Sequence, residues 1–273
     1  MKLSIVTDEI SPDLHAAISI GVHQLGIRRF ELRSLPGGRV PDIGEEVVRQ
    51  LLELKERYGI AYTALGAGLF KCAPETEEMD HQLHVRLEAA IRLAHRLDVQ
   101  LITGFALIDH HVHRPAELME RVVPYFRRTC ERLAAEGLHF ACETEYMSGC
   151  ETAADARRLI DQVGLRLKVN WDPANAWVAG ESPLEGYASI RDSIANVHVK
   201  DADTRDWRSR NPFVALGAGQ VPWPELLRVL VEDATAPTLT VETHVEPLIP
   251  NTEQSVSVLR EMLHQAGCRE AGL

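Results

Sequence analysis

Short apolar segments alternate with longer segments of helical periodicity along the whole chain, and this alternation constrains the fold most strongly. Strands are predicted at residues 3–7, 29–33, 61–65, 100–104, 139–144, 166–171, 195–200 and 238–243. Helices are predicted at residues 12–25, 45–58, 81–97, 116–135, 153–163, 184–194, 224–232 and 252–265. Ser11 is the predicted N-cap of the first helix, with proline at its first position. Strands that alternate with helices are typical of a parallel α/β fold.

Eight such strand–helix units in 273 residues match a (β/α)8 barrel in number and size. A doubly wound open sheet is the rival fold, and the alternation alone does not separate the two. The first strand, however, is not followed by a G-x-G-x-x-G motif, and polar residues recur at the ends of many strands. Barrel enzymes collect their catalytic groups from several strand ends. We therefore predict a (β/α)8 TIM barrel that forms a single domain over residues 1–273.

The composition limits the classes of partner. A formal net charge of −11 and a pI near 5.6 argue against a protein that binds nucleic acid or an anionic membrane. The N-terminal MKLSIVTDEI is too short in apolar residues for a signal peptide, and no apolar run approaches the ~18 residues of a membrane span. Five cysteines without a C-x-x-C pair fit neither a disulfide scaffold nor a thiolate metal site. We expect a cytoplasmic protein that acts on a small molecule, and homo-oligomerisation is compatible with this sequence.

Three acids and a histidine end four consecutive predicted strands. They are Glu143 in ACETE, Asp172 in NWDPAN, His198 in NVHVKD and Glu242 in TVETH. In a barrel these side chains would meet at one mouth, where three carboxylates repel one another unless they are paired or bind a metal. Carboxylate oxygens and an imidazole nitrogen suit one divalent ion, such as Mn²⁺, Mg²⁺, Co²⁺ or Zn²⁺.

Each of these residues also has a purely structural interpretation. Glu143 would be a solvated charge at a strand end, and Asp172 would open a turn, because Asp-Pro is common there. His198 would be a core histidine that bonds a backbone carbonyl. Their matching positions on four successive strands favour a shared site over three separate structural roles.

The same segments, together with TDEIS and FELR nearer the N-terminus, resemble the xylose isomerase-like barrels called sugar phosphate isomerases/epimerases. This family includes ketose 3-epimerases, hydroxypyruvate isomerase, inosose and dehydroshikimate dehydratases, and endonuclease IV. The resemblance covers essentially the whole chain. It implies that Glu143, Asp172, His198 and Glu242 are the ligands of one divalent metal ion.

Further segments carry the resemblance, with differences. LGAGQVPW (216–223) is similar to the G-x-G-x-x-x-W segment of the family, although Ala218 stands where an acid is often found. Asn175 stands where many epimerases have a histidine, and an amide binds hydroxyl groups but does not titrate near neutrality. The fourth strand ends in LITGF, without a histidine for the trinuclear zinc site of endonuclease IV, and the acidic chain suits DNA poorly.

Five more side chains near the predicted strand ends are predicted to contact the substrate. They are Glu31, Lys71, Asn175, Lys200 and Arg208. Strand alternation places Lys200 on the same side as His198, where it would approach either the substrate or a metal ligand. Arg208 lies with two other arginines in the insertion DADTRDWRSRN, whose alternative interpretation is a solvated charged loop.

The resemblance implies a divalent-metal-dependent isomerase or epimerase of a small sugar, keto-sugar or polyol. The metal would polarise the substrate carbonyl and stabilise an enediolate, while Glu143 and Glu242 act as the acid/base pair from opposite sides. The alternative is a metal-dependent dehydratase (lyase) of an inosose- or dehydroshikimate-like substrate. A hydrolytic or non-catalytic metal protein is a third interpretation. Nothing in the sequence resembles a dedicated phosphate cradle, so a phosphorylated substrate is not implied.

Overall fold

The computed structural model describes residues 1–111, 113–164, 166–205, 211–234 and 238–268. Within them, eight parallel strands pair in sequence order and the last pairs with the first, which closes a barrel. The strands are β1 (Lys2–Val6), β2 (Arg29–Leu32), β3 (Ala61–Leu69), β4 (Leu101–Gly104), β5 (His139–Glu143), β6 (Leu167–Trp171), β7 (Ile194–Val199) and β8 (Thr238–Val241). The predicted (β/α)8 barrel is therefore confirmed.

A helix follows each barrel strand on the outside. The helices are α1 (Leu14–His23), α2 (Glu45–Tyr58), α3 (Leu87–Leu97), α4 (Pro115–Ala135), α5 (Ala153–Val163), α6 (Pro183–Ile190), α7 (Trp223–Asp233) and α8 (Leu248–Gln265). In α2 the buried residues Val48, Leu51 and Leu54 recur every three positions, so one stripe of the helix packs on the barrel. No helix in the described ranges is both long and apolar enough to cross a bilayer.

Several element boundaries differ by a few residues from the sequence-based prediction, and two of these differences have a clear local cause. Helix α1 begins at Leu14, because the side chain of Asp13 accepts a hydrogen bond from the Ala16 backbone N–H and caps the helix, a role predicted for Ser11. Strand β3 continues to Leu69 with a register irregularity against β4, whereas its predicted end was residue 65. The extension contains two glycines, which weaken the strand pattern in sequence.

Polar side chains form a layer inside the barrel below its carboxyl end. The Asn196 side chain donates to Asn170 Oδ1 over 2.9 Å, and Thr240 Oγ1 donates to Asn196 Oδ1 over 2.9 Å. All three residues are buried, and their hydrogen bonds remove the cost of placing amides and a hydroxyl in the interior. This layer is the floor on which the predicted site lies.

Candidate metal centre

The four residues predicted to bind a metal meet at the carboxyl ends of β5, β6, β7 and β8. One potential ligand atom from each of Glu143, Asp172, His198 and Glu242 lies within 4.8 Å of the other three, and all four side chains are buried. These strands are neighbours in the barrel, so Glu143 and Glu242 lie on the outer two strands and flank the other residues. The sequence pattern thus led to one compact cluster of oxygen and nitrogen atoms.

Asp172 uses its two carboxylate oxygens differently. It ends β6 and is the N-cap of a short helix (Pro173–Val178), in which proline occupies the first turn. Oδ1 accepts hydrogen bonds from the backbone N–H groups of Ala174 and Asn175, at 2.9 and 3.0 Å. Oδ2 lies in the cluster and makes no hydrogen bond among the described residues. The predicted turn is therefore a helix start, and it leaves one oxygen directed at the other potential ligands.

His198 is oriented by a carboxylate on its far side. Its Nε2 atom lies 3.2 Å from Glu31 Oε2, whereas Nδ1 lies 3.2 Å from Glu242 Oε2 and 3.5 Å from Glu143 Oε1. Glu31 also accepts a hydrogen bond from the Asn196 side chain over 3.1 Å. A carboxylate behind a histidine is the usual way to fix the orientation of a metal-binding imidazole. The contact of Glu31 with substrate remains a prediction.

Two cations, the buried Lys200 and the half-buried Arg33, balance the acids. Lys200 Nζ lies 2.7 Å from Asp172 Oδ2 and 3.2 Å from Glu242 Oε2, and its side chain is 2% exposed. The Arg33 guanidinium contacts Glu242 and Glu9, and it donates to Asp8 Oδ2 over 2.9 Å. These pairs lower the electrostatic cost of burying the acids. The predicted contact of Lys200 with substrate stays a prediction, since in the structure its ammonium contacts two of the predicted metal ligands.

The charges alter the pKa values at the centre. Burial opposes ionisation of Glu242, but Lys200, His198 and His244 hold the pKa of its carboxyl well below the ordinary range. Burial likewise disfavours imidazolium, yet the carboxylates of Glu242, Glu31 and Glu143 raise the pKa of His198 well above its usual value. Burial raises the pKa of Asp172, although Lys200 opposes that rise. Without a metal, the centre therefore favours an ionised Glu242 beside a protonated His198.

The donor set fits a divalent cation on structural grounds. Asp172 Oδ2 and His198 Nδ1 are buried atoms without a hydrogen-bond partner in the described part of the chain. Such atoms are costly unless something compensates them. Lys200 Nζ lies 2.7 Å from Asp172 Oδ2, and His198 Nδ1 lies 3.2 Å from Glu242 Oε2, but neither contact has hydrogen-bond geometry. Three carboxylates and one imidazole are ligands that Mn²⁺, Mg²⁺, Co²⁺ and Zn²⁺ accept. A metal at this position would compensate both atoms.

A cavity of about 460 Å³ opens above the centre. It is lined by Glu31, Lys71, Asn175 and Lys200, four of the five residues predicted to contact substrate; Arg208 lies outside the described residues. Lys71 Nζ lies 3.3 Å from Glu145 Oε1, and the Asn175 amide donates to Glu145 Oε2 over 2.8 Å. Glu145 therefore joins two predicted substrate contacts along one wall.

The segment LGAGQVPW supports the end of β7. The Asp201 carboxylate accepts hydrogen bonds from the backbone N–H groups of Gly217, Gly219 and Val221, at 2.9, 3.0 and 3.2 Å. A β carbon at Gly219 would lie 2.2 Å from Asp201 Oδ1, so only glycine allows this approach. Trp223 Nε1 donates to the Lys200 carbonyl oxygen over 2.8 Å. The segment thus fixes the backbone next to Lys200 without contributing a side chain to the metal centre.

The sequence did not predict the buried polar residues beneath the metal centre, or the arginine that lines the cavity above it. Asn170, Asn196 and Thr240 each lie two positions before a predicted ligand, and the period-two rule for strands would have found them. Arg39 lines the cavity from a short hairpin in which Ser34–Leu35 pairs with Gly38–Arg39. No periodic signal in the sequence marks that residue, because the hairpin strands are only two residues long.

Comparison with known proteins supports the fold and gives the family. The family model described as xylose isomerase-like TIM barrel matches residues 21–262. A search of curated proteins gives no significant match.

Several solved structures share the fold. A D-tagatose 3-epimerase-like protein superposes with a TM-score of 0.80 at 16% identity, covering 98% of each chain. The IolI protein with a bound zinc atom superposes with a TM-score of 0.78 at 16% identity, covering 97% of this chain and 98% of its own. The probable 3-DHS dehydratase AsbF of Bacillus anthracis gives 0.75 at 19% identity, covering 95% and 99%. At these identities the likeness shows the fold alone. The family match spans most of the chain, which therefore belongs to the xylose isomerase-like TIM barrel family.

Proposed function

We propose that this protein is a divalent-metal-dependent isomerase or epimerase of a small sugar-like substrate. The observation that carries the proposal is the convergence of three carboxylates and an imidazole in one buried cluster, in which Asp172 Oδ2 and His198 Nδ1 lack hydrogen bonds among the described residues. Membership of the family and the names of the similar structures, an epimerase-like protein and a zinc-bound protein among them, agree with it.

Glu143, Asp172, His198 and Glu242 would hold the metal. When bound, a divalent ion supplies Lewis acidity, which polarises a carbonyl and stabilises negative charge on substrate oxygens. The protein contributes a buried site of fixed geometry, since Glu31 orients His198 and the helix cap orients Asp172. The adjacent ammonium of Lys200 adds positive charge where the substrate oxygens would become anionic.

Glu143 and Glu242 would move the proton. Asn170 donates to Glu143 Oε2 over 3.0 Å. Glu242 accepts from Arg33 through Oε1 and from Lys200 through Oε2, the latter over 3.2 Å. Because they flank the centre from β5 and β8, one would remove a proton from a substrate carbon while the other returns a proton on the opposite side. Such a transfer inverts a carbon centre, and it moves the carbonyl when a proton also passes between the oxygens.

The low pKa values of both glutamates set a requirement on the substrate. Burial opposes ionisation, but His198 and Lys200 hold the pKa of Glu143 below its ordinary value. The pKa of Glu242 lies well below its ordinary value. An ionised carboxylate with a low pKa is a weak base, so it removes a proton only from a strongly acidified C–H group. A carbon next to a polarised carbonyl meets this requirement.

A dehydratase is the second candidate, and Asn175 favours it. Both amide hydrogens of Asn175 point to the protein, since the nitrogen donates to the Thr144 carbonyl over 3.0 Å and to Glu145 over 2.8 Å. Asn175 cannot supply the titrating ring that many epimerases carry at this position. Elimination of a β-hydroxyl as water would use the same residues, since one glutamate would take the proton from the carbon and the other would protonate the departing hydroxyl. One similar structure is a probable 3-DHS dehydratase.

Proton exchange tests the proposal and separates the candidates. The metal-loaded protein is incubated in D₂O with a panel of ketoses and keto-polyols, and deuterium in the substrate is followed by NMR. We expect incorporation into at least one substrate, its loss in Glu143→Gln and in Glu242→Gln, and its retention in the exposed control Glu46→Gln. A dehydratase would also form a conjugated, light-absorbing product. Exchange near the wild-type rate in either active-site variant would contradict the paired acid/base account.

A further inference from the structure

Arg39 extends into the cavity from the hairpin that follows β2. It lines the same cavity as three of the four predicted metal ligands, Glu143, His198 and Glu242. Its Nε donates a hydrogen bond to the Gly66 carbonyl oxygen over 2.8 Å, which fixes the guanidinium plane. Among the described residues, the two terminal nitrogens of Arg39 have neither a hydrogen-bond acceptor nor a carboxylate partner. Four strong N–H donors are therefore left for something else.

The fold makes room for this side chain. Gly68 in β3 has a φ of +62°, and a β carbon there would lie 2.7 Å from Arg39 Nε and 3.0 Å from Cζ. A side chain at this position would both strain the backbone and displace the guanidinium. The position of Arg39 is thus supported by a backbone carbonyl at residue 66 and by an absent side chain at residue 68.

The other cations of the cavity differ from Arg39, because each has a carboxylate partner. Arg33 contacts Asp8, Glu9 and Glu242, and Lys200 contacts Asp172 and Glu242. Lys71 contacts Glu145.

Arg39 has only the longer-range attraction of the acids at the centre. Burial and then the repulsion from Arg33 lower the pKa of Arg39. The acids near Arg39 therefore offset only part of the cost of desolvating this cation.

The ring of Phe105 lies close to the cations of both Arg39 and Lys71. The Phe105 ring centroid lies 5.9 Å from Arg39 Cζ and 4.2 Å from Lys71 Nζ.

Glu143 and Glu242 are the acids that act most strongly on Arg39, and they are two of the predicted metal ligands. A divalent ion bound by them would cancel much of their charge, so the potential at Arg39 would become more positive once the centre is loaded.

We propose that Arg39 binds a carboxylate group of the substrate, and that the substrate class is a small hydroxylated keto acid rather than a neutral sugar. The terminal N–H groups of a guanidinium match the two oxygens of a carboxylate, and such charge-assisted bonds are the stronger ones. This assignment rests on the proposed function, which places the reacting carbonyl at the metal centre across the cavity. Arg39 is then a specificity-determining residue.

A matched pair of compounds tests the assignment. D-fructose and 2-keto-D-gluconate share their carbon skeleton and their keto group, but they differ at carbon 1. This carbon belongs to a hydroxymethyl group in D-fructose and to a carboxylate in 2-keto-D-gluconate. Binding to the metal-loaded protein is measured by calorimetry, with further matched acid and alcohol pairs to cover other skeletons. We expect the acid of at least one pair to bind roughly tenfold more tightly or better, because charged hydrogen bonds are stronger than neutral ones. D-fructose 1-phosphate distinguishes a carboxylate site from a phosphate site.

Variants connect the preference to the residue. Arg39→Gln should remove the preference for the acid, and Arg39→Lys should keep part of it. Arg205→Gln is the control, since that guanidinium already pairs with Asp203 and its side chain is 71% exposed. Thermal unfolding of each variant establishes that it is folded. The proposal is overturned if no acid of the panel binds more tightly than its neutral match, if the phosphate is preferred, or if the preference persists in Arg39→Gln.

The outcome is separable from that of the proposed function. Deuterium exchange into neutral ketoses only, with no preference for acids, would keep the isomerase proposal and refute the role of Arg39. Acid binding that depends on Arg39, without deuterium exchange into any compound, would keep the anion site and refute the proposed reaction.

Discussion

Glu31 Oε2 lies 3.2 Å from His198 Nε2, on the side of the imidazole ring opposite the cluster of potential ligands. When one ring nitrogen donates to a carboxylate, the other nitrogen carries the free lone pair that a metal needs. The pair therefore couples a residue on β2 to the predicted metal ligand on β7, across the interior of the barrel.

Replacing Glu31 should weaken metal binding without removing a ligand. We expect Glu31→Gln to lower the metal affinity about 10- to 100-fold, because the amide holds the imidazole less firmly and makes it less basic. Competition with a chelator measures the affinity. Glu46→Gln, whose side chain is 65% exposed, is the matched control. Unchanged affinity in Glu31→Gln would show that Glu31 does not orient His198.

Removing the Lys200 ammonium should destabilise the metal-free protein more than the loaded one. Lys200→Met leaves Asp172 and Glu242 without their nearest cation, and breaking a buried pair on one side costs about 3–5 kcal/mol. A bound divalent ion would restore part of this stability, so the variant should show a larger rise in melting temperature on metal addition than the wild type. Differential scanning calorimetry with and without metal measures both effects.

A lysine with an exposed partner provides the comparison for Lys200. Lys55 pairs with Asp98, whose side chain is 88% exposed, and Lys55→Met should cost only about 1 kcal/mol or less for that ion pair. Equal stability of Lys200→Met and the wild type in the absence of metal would contradict the predicted role of the ammonium.

Metal binding should release a proton near neutral pH. Against the effect of burial, Glu242, Glu31 and Glu143 raise the pKa of His198 well above its usual value, so the ring of the metal-free protein is protonated at neutrality. Coordination through Nδ1 requires the loss of about one proton. Protons therefore compete with the metal, and its affinity should rise as the pH increases toward the pKa of His198. Calorimetry in two buffers of different ionisation enthalpy counts the proton, and binding without proton release would contradict this.

Asp201 should be important for stability although it lies outside the metal centre. Asp201→Ala removes the acceptor of backbone N–H groups from Gly217, Gly219 and Val221. Of these residues only Val221 is buried, and an unsatisfied buried donor costs about 1–3 kcal/mol. We expect the free energy of unfolding to fall by about 1–3 kcal/mol in a denaturant titration. Asp161→Ala, at a side chain that is 63% exposed, should change it by less than about 0.5 kcal/mol. Similar losses in the two variants would refute this role.

The fold was predictable because its signal is repeated eight times. Strand and helix periodicities recur along the chain, and an error in one boundary does not disturb the count. The start of α1 was wrong because Ser11 and Asp13 are both good N-cap residues, and local sequence does not decide between them. The predicted end of β3 was wrong because the glycines at positions 66 and 68 weaken the strand pattern in the sequence.

For the candidate site, the residues at the strand ends could be predicted from the sequence, but their partners could not. Residues at strand ends share one barrel mouth by topology, so Glu143 and Asp172 were found from their positions. The partners of those residues depend on which side chains meet across the barrel, as Glu31 and His198 do, and that requires three-dimensional packing. Arg39 was missed because its place in the cavity depends on a hairpin and on space left by Gly68.

Metal content is the most direct test of the account. The protein is loaded with Mn²⁺, Co²⁺ or Zn²⁺, passed over a desalting column and analysed by mass spectrometry of the eluted metal. Asp172→Asn is the sharpest variant, since asparagine retains the helix cap but loses the ligand charge. His198→Gln removes the imidazole, and Asp161→Asn is the exposed control. We predict one tightly bound divalent ion per chain in the wild type and the control, and its loss in both site variants. A wild type that retains no ion, or site variants that retain as much as the wild type, would contradict the account.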